Sequence, residues 1–80
     1  MNTNEAIKKF GVHLRGLRAE HDISQAQLSF MAEIGLATIK RIENGKIVPK
    51  LSTLVAIAVA LEIPMSKLMD FNIYDDTNHY

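Results

Sequence analysis

Cysteine is absent from this chain, which rules out both a disulfide framework and a thiolate metal site. Tryptophan is absent too, and three phenylalanines and two tyrosines supply all the aromatic rings. Two prolines and four glycines are spread over 80 residues, too few for a loop-rich or low-complexity chain. Neither sign of charge dominates: nine lysines and arginines balance nine aspartates and glutamates, so the chain as a whole lacks the basic excess of many polyanion binders. The longest apolar run, residues 54–61, is far short of the ~20 residues that a membrane-spanning helix needs. The opening MNTNEAIKKF has no apolar segment of the signal-peptide kind. One domain over residues 1–80, in the cytoplasm, is expected, because a second core does not fit in this length.

What is present is helical periodicity. Nearly half of the residues, 48%, are apolar. In a first segment from about Glu5 to Glu20, Ile7, Phe10, Leu14 and Leu17 recur at three- and four-residue steps and form one inward stripe. Asn2 and Glu5 have capping-box spacing. Gly11 and Gly16 lie inside this helix at a cost of about 1 kcal/mol each relative to alanine, which close packing of another backbone would explain. A second helix opens on Ser24 with Gln27 three residues on, a second capping box, and points Leu28 and Ala32 inward. A third starts near Gly35 or Leu36, faces Ile39 and Ile42 inward and stops at Asn44-Gly45. A fourth, about 51–61, turns Leu54, Ile57, Ala58 and Leu61 to the core. Ala56, Val59 and Ala60 leave it almost no polar side, so it is expected to be buried over most of its circumference. Pro64 suits the first turn of a short fifth helix ending near Met69. The acidic tail, residues 70–80, alternates weakly at Phe71 and Ile73 and reads as a short strand or as frayed. The expected class is all-α: a compact domain of five short helices joined by tight turns.

Local charge is less even than the total. Residues 36–50 carry Lys40, Arg41, Lys46 and Lys50 against Glu43 alone, while residues 62–80 carry Glu62, Asp70, Asp75 and Asp76 against Lys67 alone. If Ile39 and Ile42 anchor the third helix, Leu36, Ala37, Lys40, Arg41 and Asn44 must lie outside or on the flanks. A helix entering a major groove reaches base edges chiefly through its first turns. Leu36, Ala37, Lys40 and Arg41 are therefore the candidate base readers. Leu36 and Ala37 suit thymine methyl groups, and Arg41 suits the bidentate pair with guanine. Gln25, at the start of the second helix, together with Thr38, Asn44, Lys46 and Lys50, forms the candidate phosphate-binding set.

This combination resembles the XRE-type helix-turn-helix family of phage Cro proteins and repressors. The likeness runs from about Phe10 to Leu68, includes Ala37-Thr38-Ile39 and Arg41-Ile42-Glu43-Asn44-Gly45-Lys46, and is most specific from Thr38 to Lys46. Ile23-Ser24-Gln25, Leu28, Ala32 and Thr53-Leu54 also match. The resemblance implies a five-helix, lambda-repressor-like DNA-binding domain with its reading unit in residues 24–45. It implies a sequence-specific transcriptional regulator, a repressor by likeness, that binds a two-fold operator as a homodimer. It also implies a structural salt bridge between Arg18 of the first helix and Glu43 at the end of the third. Asp22, Glu33 and Glu62 stand where the family commonly places glycine; either those turns open or these residues adopt a left-handed backbone. Gly35 replaces a usual capping serine or threonine, and Leu36 replaces a usual polar reader, which leaves methyl contact or shape readout at that position.

A second surface is apolar where periodicity exposes it. Ala56, Val59, Met65 and Met69, with Phe71 and Ile73 of the tail, are the candidate dimer interface. Phe30 lies on the outer side of the second helix as a lone apolar residue. Catalysis is not expected: His21, Asp22 and Ser24 are neighbours in sequence without a triad's geometry, and His13 and His79 have no partner at metal-ligand spacing. There is no phosphate-cradling glycine loop, and no cofactor is expected. The alternative to a DNA reader is a protein-interaction module, such as an antitoxin that binds its toxin, which the neutral charge and apolar fourth helix would suit.

Overall fold

A computed structural model describes residues 3–74. They form five helices: α1 (Thr3–Glu20), α2 (Gln25–Ala32), α3 (Leu36–Glu43), α4 (Leu51–Leu61) and α5 (Met65–Leu68). No strand occurs among the described residues. The proposed Asn2–Glu5 box and the last six positions of the acidic tail lie outside them. The core collects Phe10, Leu14 and Leu17 of α1, Leu28 and Ala32 of α2, Ile39 and Ile42 of α3, Ile57, Ala58 and Leu61 of α4, and Leu68 of α5. Each amphipathic stripe supplies the inner face of one helix, and burial of these faces is what holds so short a set of helices together. Ile7 and Leu54, read as core residues, are only half-buried.

Local signals set most helix ends. Ser24 caps α2: its Oγ accepts the Gln27 N–H at 3.0 Å, and the Ser24 N–H donates to Gln27 Oε1 at 2.7 Å, so both halves of the capping box form. Gly35 caps α3 without a side-chain bond. Pro64 sits one place before α5, at its N-cap rather than inside its first turn.

One device ends four of the helices. Asp22, Glu33 and Glu62 have φ of 54°, 55° and 55°, and Gly45 has 68°. The left-handed alternative is therefore the one these three carboxylate-bearing residues adopt. In each case the next residue donates its N–H back across the turn: Ile23 to Arg18 O, Ile34 to Ser29 O, Lys46 to Arg41 O and Ile63 to Ala58 O. That bond, with the hydrophobic contact made by the residue that donates it, defines the Schellman ending. Ile23, Ile34 and Ile63 all pack against the core. Their burial offsets the strain that a Cβ meets in this conformation, which explains why glycine is dispensable at the preceding position.

Only one of the two helical glycines of α1 has a packing reason. A Cβ on Gly11 would stand 2.5 Å from Glu43 O and 2.7 Å from Ile42 O, so the bare backbone lets α1 press against the end of α3. A Cβ on Gly16 would meet nothing within 4 Å beyond its own turn of helix, and close approach does not explain it.

The fourth helix departs from expectation. Its composition suggested burial over most of its circumference; Val59, read as exposed by periodicity, is 69% exposed, but Leu51 at 70% and Val55 at 44% join it. At a four-residue step these three side chains form a single outward stripe. Composition could not locate it because α4 has apolar residues on both sides. The tail also differs: Phe71 turns back onto its own chain, with its ring 5.7 Å from those of Phe10 and His13.

Candidate nucleic-acid interface

The surface around α3 follows from the anchoring of that helix. Ile39 and Ile42 are fully buried at 0% exposure, which fixes the rotation of α3 about its axis. The opposite side carries Leu36, Ala37, Lys40 and Arg41, all exposed, and Asn44, Lys46 and Lys50 continue the exposed surface beyond the helix. Thr38 is half-buried on the flank. None of the four cations Lys40, Arg41, Lys46 and Lys50 forms a salt bridge with another described residue, so their charge faces outward unspent.

The acidic residue in this stretch is removed from the surface. Glu43 is 3% exposed. Arg18 grips it from α1 with two parallel bonds, Nε to Oε2 at 2.5 Å and Nη2 to Oε1 at 2.9 Å, while Arg18 Nη1 donates to Ile23 O at 2.9 Å. Such fork-to-fork pairing fixes geometry as well as charge. Burial alone would push the Glu43 carboxyl up; the hydrogen bonds from Arg18 and Gln25 and the Arg18 charge outweigh it and hold the carboxyl below its ordinary value. The bond to Glu43 likewise holds the Arg18 guanidinium above its ordinary value, against the opposing effect of burial.

Gln25 has a role that its place in sequence did not disclose. Its Nε2 donates to Glu43 Oε1 at 3.0 Å, so the amide is tethered instead of hanging free at the start of α2. An amide nitrogen has two donor hydrogens, and this bond engages one of them. Gln25 is thereby oriented at the same helix N-terminus where its backbone and the α2 dipole favour an anion.

On the second surface, Val59, Met69 and Ile73 are exposed, whereas Ala56, Met65 and Phe71 are half-buried against their own core. Leu51 and Val55 belong to this exposed face and were missed. The signal available in sequence was their spacing with Val59, which the uniformly apolar helix concealed. The predicted lone Phe30 is 85% exposed, with Met31 beside it at 47%.

The fold and the α2–α3 surface together define a helix-turn-helix domain. A family model described as helix-turn-helix matches residues 14–68, and the chain belongs to the XRE-type helix-turn-helix family. It is 44% identical over 64 residues to the HTH-type transcriptional repressor RghR of Bacillus subtilis (strain 168), across 79% of this chain and 47% of that one. It is 41% identical over 64 residues to the uncharacterized HTH-type transcriptional regulator RghRB of the same organism, across 79% of this chain and 46% of that one. The chain therefore spans about half the length of the curated relatives it matches. Among solved structures it is similar to the restriction-modification controller protein C.AhdI from Aeromonas hydrophila, with 30% identity and a TM-score of 0.77 over 79% of this chain and 96% of that one. No helix among the described residues is long and apolar enough to cross a membrane.

Proposed function

We propose that this protein is a cytoplasmic, sequence-specific DNA-binding transcriptional regulator, with repression as its mode, that inserts α3 into the major groove. The observation that carries the reading is the split character of α3: two isoleucines at 0% exposure on one side, and Ala37, Lys40 and Arg41 open on the other. Burial of Glu43 strengthens it, because the remaining outward charge of residues 36–50 has one sign. In this reading Leu36, Ala37, Lys40 and Arg41 face base edges, and Gln25, Thr38, Asn44, Lys46 and Lys50 face phosphates.

Selection of bound sites from random duplexes tests it. The Arg41→Ala variant should lose about 1–3 kcal/mol of discrimination at one base position and leave the others unchanged. An Arg41→Ala variant that selects the same sites with the same stringency would refute the assignment of Arg41.

The partner proposed for the second surface is another copy of the chain. Leu51, Val55 and Val59, with Met69 and Ile73, leave apolar area that a two-fold contact would cover. Such a dimer would space two reading helices by about 34–36 Å, one turn of DNA. A Val59→Asp substitution should dissociate it with little loss of monomer stability, because Val59 is 69% exposed. Sedimentation equilibrium without DNA checks this. A wild-type chain that stays monomeric well above micromolar concentration removes the self-association and favours a different protein, such as a toxin, on that stripe.

A further inference from the structure

Arg15 of α1 is a basic side chain that makes a second, longer ion pair with Glu43 and has no place in the reading unit. Its Nε lies 3.4 Å from Glu43 Oε1, and its Nη2 lies 3.4 Å from Asn44 Oδ1. Both contacts are long, and the Arg15 side chain remains 54% exposed, against 14% for Arg18. The charge balance of the cluster is uneven. Glu43 brings one negative charge, and Arg18 engages both of its oxygens at 2.5 and 2.9 Å. The second guanidinium is therefore only weakly paired, at an exposed position.

Its neighbours suggest what the weakly paired charge is for. Glu43 Oε1 accepts from Gln25 as well as from Arg15, so the side chains of α1 and of the α2 N-terminus converge on one buried atom. On the other side Arg15 reaches Asn44, which follows α3. Gln25 and Asn44 are among the residues proposed above to face DNA phosphates, and Arg15 touches Asn44 and shares the Glu43 acceptor with Gln25. Lys8, two turns earlier on α1, lays its stem against Gly45, which carries basic surface farther along the same edge.

We infer that Arg15 is a phosphate-binding residue, held in place by Glu43 and Asn44, which extends the DNA contact surface from the α2–α3 unit onto α1. This rests on the DNA-binding reading. The ligand is one phosphodiester of the duplex backbone, engaged through the guanidinium N–H groups left free by the long bonds to Glu43 and Asn44. The contact carries no base information. Its purpose is register: it ties α1, and through Gly11 the end of α3, to the strand that flanks the groove.

The 80-residue chain should be titrated with a fluorescein-labelled mixed-sequence duplex at several salt concentrations. Each phosphate neutralised contributes about 0.9 to the slope of log affinity against log salt. Arg15→Ala and Arg15→Gln should each flatten that slope by about 0.9 per protomer, so that a fourfold rise in salt costs them about three- to fourfold less affinity than it costs the wild type. Arg15→Lys should restore the slope, since it keeps the charge. Circular dichroism melts of all three variants verify that the folded state is compared. An unchanged slope in folded Arg15→Ala and Arg15→Gln overturns the inference and leaves Arg15 as a supporting partner of Glu43. A wild-type chain with no salt-dependent duplex binding overturns the DNA reading as well, and so the two failures are distinguishable.

Discussion

Replacement of Glu43 by alanine should destabilise the domain by about 3–5 kcal/mol, because it leaves a largely buried charge without its partner. Arg18, whose side chain is 14% exposed, would keep only the Ile23 carbonyl as an acceptor, Gln25 would lose its bond to the carboxylate, and Arg15 would keep only Asn44. Against a typical stability of about 5–15 kcal/mol this is a large fraction, readable as a shift of the urea midpoint. The pair itself need not be a net source of stability. A double change, Arg18→Met with Glu43→Leu, should recover most of the loss, since desolvating two ions offsets much of their attraction. A Glu43→Ala variant within 1 kcal/mol of the wild type would show that the ion pair is not buried in solution.

The same residue sets an acid dependence. A carboxyl held below its ordinary value stabilises the folded state fully above the unfolded pKa, about 4.3 for glutamate, and this contribution is lost as pH falls through the lower folded value. The stability of the wild type should therefore decline steeply below about pH 4.3, and Glu43→Gln should show a shallower decline from a lower starting stability.

Truncation of Ile42 to alanine should cost about 2–5 kcal/mol, the range for a large aliphatic side chain removed from a packed core. Ile42 is 0% exposed, and its carbonyl lies in the contact with Gly11, so α1 cannot close inward to fill the cavity without meeting backbone. The exposed Val48, changed to alanine, serves as the control and should move stability by less than about 0.5 kcal/mol. The Ile42 loss should appear in the urea midpoint with an unchanged slope, the signature of altered stability and not of an altered unfolded state. Because Ile42 also sets the rotation of α3, the variant should bind duplex DNA more weakly even where it remains folded. If Ile42→Ala unfolds at the wild-type midpoint, α3 is not anchored as described.

Much of this architecture is legible residue by residue. Ser24 with Gln27 marks the start of α2, and Asn44-Gly45 marks the end of α3, because capping and left-handed stops are short-range chemistry. Ile39 and Ile42 disclose the inner face of α3 because helical spacing alone places them together. The turns at Asp22, Glu33 and Glu62 were ambiguous for a definite reason. A non-glycine residue takes the left-handed backbone only when something else stabilises the turn, and here that is the docking of Ile23, Ile34 and Ile63 on a core assembled from all five helices.

Two features of the candidate site lie beyond any local reading. Gln25 and Arg15 meet at Glu43, although they are separated from it by 18 and 28 positions in the chain. On α4 the spacing of Ile57, Ala58 and Leu61 discloses the core side, but apolar residues surround the axis, so hydropathy did not show that Leu51 and Val55 stay outside with Val59. Sequence by itself determined the five helices, the Ser24 cap, the Asn44-Gly45 stop and the outward cationic flank of α3, since these depend on neighbours within a few residues. Tertiary structure alone decided the convergence of Gln25 and Arg15 on Glu43, the tolerance of three left-handed carboxylate residues and the extension of the second apolar face to Leu51 and Val55. Each of those arises from atoms brought together only when helices close on one another, and burial, not local propensity, sets their energy.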